Sequence, residues 1–600
     1  MLVTKSNLDQ VVEAIYASTH IGFDTETYGL DWDKRMYSMQ YAVEEGEYYF
    51  NFHDYGDDTY ILDVGETLEA MSKVFKAEHL TWFIHNAKFD LHRLGYCGID
   101  VAGRTHDTAS MERLINNQYM KYNLDACLYR RPHLKQEKSN EVEAWITKNK
   151  AYTMTAQAGK ERRQKDKHYD RVPFEIMYRY GIKDAESVRS LGIEQLRELK
   201  TNQVEAKLYL NECELTKQLL KMEQRGVLVD TDYAKQGWKY EEEKQQQAVN
   251  NLSILGGSTY KSGPKWLASV FDSQGVSYRT NPETNNPVFD KRALGEITHP
   301  IVREILEVRR ASKYINTYYS DFVHGVDDNN VIHANIRQGG TDTGRFSYSN
   351  PNLQNVPKEE DFDQGQIQVR KSIVPRPNHT FVAIDFRQQE FRLMLDYANE
   401  RRVIKAVMEG EDLHTATAKM VGVTRKQAKT LNFGLLYGMG SSKLAVALNV
   451  PEKDAVKIKL QYFNKLPRVE NFIADVISKA RTRKWIKTWA GRMLRFPNRE
   501  FAYKAPNHLI QGGCGDIARY SITELADFLQ DKPVFMVIQV HDEIIFEVRD
   551  DSLEVIPELV RIMKGIYTPI NGMYMDCSVE TSKVSWGQQD MKEIDYVLVP

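Results

Sequence analysis

Acidic residues recur in this chain at spacings that suit phosphate chemistry assisted by metal. In "IGFDTETYG", Asp24 and Glu26 stand two apart on an expected strand, so both side chains leave the same face of the sheet. Carboxylates crowded on one face repel unless a cation sits between them. Alone, such a pair reads as a solvated strand edge. Further acids shift that balance: "HNAKFDLHRL" supplies Asp90, and "YRYGIKDAESV" places Tyr180 and Asp184 four apart on one helix face. Four acids and a phenol can hold two divalent cations and aim a water at a phosphodiester. Hard oxygen ligands suit Mg²⁺, with Mn²⁺ as a substitute.

A second set lies downstream. "FVAIDFRQQEFRLMLDYA" ends an apolar strand on Asp385, with Gln388, Glu390 and Arg392 in the helical pattern that follows. A carboxylate at a strand end is held by rigid backbone yet open to solvent, which suits a metal ligand. By itself it would read as a helix cap. "VTRKQAKTLNFGLLYG" opens on a capping box, Thr424 with Gln427, and then repeats Arg425, Lys429, Phe433 and Tyr437 every fourth residue. Each such step moves only ~40° around a helix axis, so the four make one slowly turning stripe. Its cationic N-terminal end suits triphosphate oxygens, and its aromatic end a base or sugar. In "MVIQVHDEIIFEV", His541, Asp542 and Glu543 interrupt an apolar run. Two strands joined tightly at His541 and Asp542 would present those acids instead of burying them.

The elements that must position these residues can be read from patterning. From Ile21 to about Leu128, apolar strands such as "EYYFNF" alternate with helical patterns such as "TLEAMSKVFKA", which indicates an α/β domain. The polar segment "KQEKSNEVEAWITKNKAYTMTAQAGKERRQKDKHYD" reads as a solvated excursion. Helical periodicity returns over "VPFEIMYRYGIKDAESVRSLGIEQLRELK", with a boundary or shared helix near 196–212. Residues 213–345 read as mostly helical, interrupted at "GGSTYKSGPKWL" and "NPETNNPVFD". A strand at "TFVAID", several helices to about Ala480 and the strands around His541 follow.

Composition bounds the rest. At 600 residues and 42% hydrophobic, the chain exceeds the ~250–300 residues one core serves, so two to four domains are expected. A net charge of -3 names no partner, because cations can concentrate in one cleft. Cys97, Cys127, Cys213, Cys514 and Cys577 lack the spacing of a structural zinc site or a disulfide framework. With no signal-peptide core and no run near ~18 apolar residues, a soluble intracellular protein is expected.

The order D-x-E, then Asn86 to Asp90 as N-x-x-x-D, then Y-x-x-x-D resembles the DnaQ-like 3′-5′ proofreading exonucleases. That resemblance implies an RNase H-like α/β domain with Asp24, Glu26, Asp90 and Asp184 as metal ligands and Tyr180 orienting the attacking water. The later segments resemble the family A DNA polymerases. The three motifs are D-x-x-Q-x-E-x-R at Asp385 to Arg392, the stripe from Arg425 to Gly438, and VHDE at Val540 to Glu543. "TDTGRFSYSNPNLQNVP", "EDLHTATA", "GRMLRFP" and "NHLIQG" support them.

This second resemblance implies a right-hand polymerase behind the exonuclease, with mainly helical thumb and fingers and an α+β palm on an antiparallel sheet. The expected bounds are 1–200 for the exonuclease, 201–345 for the thumb and start of the palm, 346–400 palm, 401–480 fingers and 481–600 palm. Asp385 and Asp542 are implied as ligands of two Mg²⁺ ions, matching two at the exonuclease site, with Glu543 assisting. Arg425, Lys429 and His414 are implied as triphosphate contacts, with Gln388 and Phe433 also in the nucleotide site. Glu390 is implied as a steric gate against a ribose hydroxyl, beside Tyr437. Arg345, Asn355, Asn507, Gln511 and His541 are implied as contacts to primer-template DNA. The implied activity is template-directed DNA synthesis from dNTPs with two-metal nucleotidyl transfer, plus 3′-5′ proofreading. Its compact layout resembles a phage replicative enzyme: a monomer in the host cytoplasm, away from membranes, with a helicase or single-strand-binding protein as replisome partner.

Two departures stand out. The usual "DYSQIE" reads "DFRQQE", so Phe386 lacks a phenolic donor and Arg387 adds a cation. The chain also begins so near Asp24 that no 5′-nuclease domain is expected ahead of it, and the thumb leaves no room for a long processivity-factor loop.

Overall fold

The computed structural model describes residues 1–56, 59–134, 140–156, 163–358, 367–436, 438–587 and 590–594. Near the N-terminus, a five-stranded sheet runs in the order Glu47–Asn51, Met36–Ala42, His20–Thr27, Thr81–Ile84, Arg104–Asp107. Its first three strands pair antiparallel, and the last two join in parallel. Helix Phe174–Thr201 crosses this sheet closely, because glycines clear its path. A Cβ on Gly22 would lie 2.2 Å from the Ala185 carbonyl oxygen, and one on Gly181 would lie 2.9 Å from Gln40. That close approach brings the strand bearing Asp24 and Glu26 against the helix bearing Tyr180 and Asp184.

The polar segment expected as a solvated excursion is folded where it is described. It forms helix Glu141–Asn149 and the antiparallel hairpin Tyr152–Ala156 with Arg163–Lys167. Val142, Ile146 and Ala151 bury against Tyr37, Val172 and Met177, a small apolar set hidden among charges in the sequence. Residues 135–139 and 157–162 lie outside the described residues.

Helix Phe174–Thr201 ends inside the expected boundary, and helix Ala206–Arg225 resumes after it. Helices Thr231–Leu255 and Pro300–Tyr314 then share a separate core with Leu252, Phe271 and Ile305. A second five-stranded sheet, wholly antiparallel, runs Val534–Val540, Glu543–Arg549, His379–Phe386, Cys577–Ser582, Lys592–Glu593. Val382 and Ile384 pair with Phe546 and Ile544 and join the largest core, together with Ile517 and Leu559 of helices Ala505–Leu529 and Ile556–Gly565. Alternation then turns Asp385 and its partner Glu543 to the other face. Helices between Arg401 and Arg483 form the segment implied as fingers.

A buried ionic cluster joins these parts. Glu212 pairs with Arg492 and Arg519, and Arg492 also binds Asp516 at 2.7 Å. Arg519 donates to the carbonyls of Gln338 and Gly344, which fixes the loop leading into Arg345. Among the described residues, no helix is long and apolar enough to cross a membrane.

Candidate active sites

Asp385 ends the central strand of the second sheet, opposite Glu543 in register. His541 and Asp542 make the tight connection between Val540 and Glu543, as the sequence indicated. His541 takes φ 54°, the left-handed geometry that two-residue hairpins demand. The Phe386 N–H donates to the Asp542 carbonyl at 3.0 Å, so main chain ties the turn to the strand end. Gln539 supports the same turn, donating its side-chain N–H to the His541 carbonyl at 2.7 Å.

Burial, then the charges of Asp542 and Glu543, push the Asp385 carboxyl up to about 9. Burial also raises Asp542 and Glu543. Carboxyls whose ionisation is disfavoured by burial and by one another are the donor set a divalent cation suits, and Mg²⁺ commonly takes one or two protein carboxylates plus water and substrate phosphate. The two sides of the cluster differ. Glu543 faces Lys358 and Arg370, whose charges oppose its shift, and Arg370 is held over Trp586 at 4.0 Å and by the Val356 carbonyl. Asp542 instead feels Arg345 and Glu390, which form an ion pair with one another. An expected DNA contact and the expected sugar gate thus meet beside an expected ligand.

The stripe helix spans Arg425–Leu436, and Thr424 and Gln427 cap it reciprocally at 3.0 and 3.2 Å. Arg425 binds Asp412 through Nε at 2.8 Å and its terminal nitrogen at 3.2 Å. Asp412 also caps helix Leu413–Val421, which carries His414. The His414 ring lies 5.8 Å from Phe433 and 6.4 Å from Phe391. Burial lowers its pKa, with Asp412 opposing and Arg425 and Lys429 adding to the effect. Those influences place all four groups in one neighbourhood. Asn432, wholly buried, donates to His414 Nδ1 at 3.0 Å and to Thr417, and accepts from the Tyr462 hydroxyl at 3.1 Å. Since Nδ1 accepts, the His414 proton sits on Nε2. Tyr437 lies outside the described residues.

The remaining predicted positions lie on several separate elements. Gln388 takes φ 54° at the start of helix Gln389–Ala398. Asn355 closes the short helix Leu353–Asn355, and Asn507 and Gln511 are four apart on helix Ala505–Leu529. The Asn507 side-chain oxygen is buried with no hydrogen-bond partner among the described residues. Arg387, whose role the sequence left open, pairs with Glu593 of the edge strand at 2.7 Å.

At the first sheet, Asp24 and Glu26 share one face, and burial alternates through the buried Thr25 and Thr27. Asp90 lies in helix Lys88–Tyr96 and accepts from the Thr25 N–H at 2.9 Å and hydroxyl at 2.7 Å. Burial pushes Asp90 up to about 7 although those bonds act downward. Tyr180 is raised by burial, then by the charges of Asp184, Glu26 and Asp24, and it hydrogen-bonds Asp184. Its phenol thus stands among three of the four predicted acids. Among the described residues, no three His, Cys, Asp or Glu are closed around one point as a cage. Sequence reasoning missed Tyr37 and Tyr169, both raised chiefly by burial and further by nearby acids that include Glu26. It missed Asp412 and Asn432 as well, although Asp412 is legible as a cap before "LHTATA".

Residues 233–588 match the family model described as DNA polymerase family A. The chain belongs to this family. Residues 1–197 match a 3′-5′ exonuclease model, so this family A polymerase carries a proofreading-type nuclease in the same chain. It is 26% identical to the DNA polymerase DpoZ of Salmonella phage PMBT28, over 92% of this chain and 95% of that one. The DpoZ of Acinetobacter phage SH-Ab 15497 is 25% identical over 89% of this chain and 92% of its own. The thermostable DNA polymerase I of Thermus aquaticus is 32% identical over 45% of this chain and 34% of its own. A solved structure, the POL domain of Pol1 from M. smegmatis in complex with DNA primer-template and dNTP, superposes with TM-score 0.81 at 22% identity. It covers 98% of this chain and 99% of that one, which shows a shared fold. As a family A enzyme, the chain is a DNA-directed DNA polymerase with a 3′-5′ exonuclease domain, and both domain types depend on divalent metal in general.

Proposed function

We propose that this polymerase replicates phage DNA, extending primers with dNTPs at Asp385 and Asp542 and excising mispaired 3′ ends at Asp24, Glu26, Asp90 and Asp184. The observation that carries the reading is the main-chain tie between the Asp385 strand end and the His541–Asp542 turn, which sets Asp542 and Glu543 near enough for their charges to act on Asp385. Both acid clusters fit Mg²⁺. Bound there, the ion would lower the pKa of a primer hydroxyl or a water and offset charge on phosphate oxygens. Arg425, Lys429 and the Nε2–H of His414 would grip a triphosphate, while Phe433 packs the sugar. Glu390 would crowd a ribose hydroxyl, and Arg345, Asn355, Asn507, Gln511 and His541 would line the duplex. Thumb, palm and fingers take the bounds expected from sequence, and the enzyme acts in the host cytoplasm as a monomer. Primer extension with Mg²⁺ and four dNTPs, on matched and mismatched ends, tests both sites together. Failure to extend a matched end would overturn the proposal.

Two substitutions probe the nucleotide site. Phe433→Tyr should raise dideoxynucleotide use about tenfold or more, because a phenolic hydroxyl there can replace the missing sugar hydroxyl as a hydrogen-bonding group. The measurement is chain termination at fixed dideoxynucleotide to deoxynucleotide ratios, and unchanged discrimination would refute it. Asn432→Leu removes the donor that holds His414 in its Nε2–H form. The expected result is a KM for dNTP raised about tenfold, the size of one lost charge-assisted hydrogen bond, with kcat changed far less. Steady-state kinetics across dNTP concentrations would separate the two.

A further inference from the structure

In helix Lys88–Tyr96, Lys88, His92 and Gly95 follow one another at steps of four and three and so share one stripe. Asp90, two residues from Lys88 and from His92, lies on the other side, against Thr25. The stripe meets residues outside the 1–197 match. Lys88 pairs with Glu223 of helix Ala206–Arg225 and donates to the Ile336 carbonyl at 2.6 Å. The Glu223 carboxylate also accepts from the Ile336 N–H at 2.5 Å. Side chains thereby take both main-chain groups of Ile336, the middle residue of strand Asn335–Arg337. One turn along, His333 stacks at 4.6 Å on Trp32, and Trp32 stacks at 3.6 Å on His92. Glu223 supports this contact too, since its main-chain carbonyl lies 2.7 Å from His333 Nδ1. Arg93 holds the Trp32 loop by the carbonyls of Asp31 and Trp32, both at 3.0 Å. At the far end a Cβ on Gly95 would lie 2.5 Å from the Gln224 side-chain nitrogen, so the two helices meet closely.

We propose that Lys88 is a positioning residue for excision: bound to Glu223 and Ile336, it holds the Asp90 helix in register, so the polymerase half sets the geometry of the nuclease site. The proposal rests on the exonuclease reading of Asp90. Stability alone is a weak reason for this pair. The Lys88 side chain is 15% exposed and that of Glu223 4%, and a pair so buried repays little more than its own desolvation. Apolar packing would join the two parts as well, but it would let the helix slide along the strand. An ammonium held by one carboxylate and one carbonyl does not. Alignment is what excision needs, because a ligand misplaced by ~1 Å can cost ~100-fold in rate.

The test uses the full chain, with steady-state excision of a single-stranded oligonucleotide measured beside extension of a matched primer. Glu223→Gln keeps the size and the acceptor for the Ile336 N–H while removing the charge that Lys88 binds. Its excision kcat should fall about tenfold with KM for the oligonucleotide little changed, and extension should persist. Lys88→Met should give the same loss, and Lys88→Arg should keep most of the rate. Combining Glu223→Gln with Lys88→Met should cost no more than either change alone, because both act through one contact. The double variant also leaves no buried charge unpaired, so it keeps the test decisive where a single change unfolds the chain. Excision unchanged in the double variant would overturn the proposal. Extension and melting temperature falling in step with excision would overturn it too, because that pattern is general loosening. If the unsubstituted chain excises nothing, the exonuclease reading itself falls instead.

Discussion

Asp542→Asn is expected to lower primer extension about 10³-fold or more, the loss of several kcal/mol of charge stabilisation, while single-strand degradation continues. The side chains are nearly the same size, and the bond that ties this turn to the sheet uses the Asp542 main-chain carbonyl. The hairpin should therefore survive. What changes is charge: an amide cannot supply the anionic oxygen that a divalent cation takes. Asp542 is also the largest charged influence raising Asp385, so its removal should let Asp385 ionise at lower pH. A partner acid that ionises more readily without restoring activity would show that both carboxylates are needed. The measurement is extension of a matched primer alongside degradation of a single strand in the absence of dNTPs. Retained extension would sink the assignment of Asp542, and loss of both activities would indicate a damaged fold. Glu543→Gln makes a useful contrast, since Glu543 is opposed by Lys358 and Arg370 on the far side of the cluster.

Much of this arrangement was legible because chemistry was written at short range. The D-x-E spacing, the four-residue stripe with its capping box, and the acids between two apolar runs each specify a local geometry. The structure shows those geometries in strand His20–Thr27, helix Arg425–Leu436 and the turn at His541. What stayed hidden depends on residues far apart in sequence. Arg387 meets Glu593, and Arg519 reaches back to the loop before Arg345, and no spacing rule anticipates either. Asp542 and Glu543 are neighbours in sequence yet face different cations, a distinction set by alternation about the turn and by which loops fold over each side. The helix at Glu141–Asn149 was masked for another reason. Its apolar residues Val142 and Ile146 are a correct helical pair, but the surrounding charge outweighs them in any composition-based reading. Contact with Tyr37, Val172 and Met177 gives them something to bury against.

Asp24→Ala should do the reverse of Asp542→Asn: excision should fall by about 10³-fold while extension persists and mismatched ends accumulate. The choice among the four acids matters. Asp90 is buried and accepts two hydrogen bonds from Thr25, so removing it would leave buried donors unsatisfied and loosen the strand between Asp24 and Glu26. Loss of activity in Asp90→Ala would confound support of the strand with chemistry. Asp184 hydrogen-bonds Tyr180 and carries a similar ambiguity. Asp24 is half-buried, and its strand pairs in register with Gln40 through backbone, which alanine leaves intact. Alanine there removes charge next to Tyr180 and leaves the backbone pairing of the sheet in place. The measurement is removal of a 3′-terminal mismatch, followed by extension of the corrected end with dNTPs. Excision that survives Asp24→Ala would place the nuclease chemistry elsewhere in the chain, and extension lost along with it would contradict two separable sites.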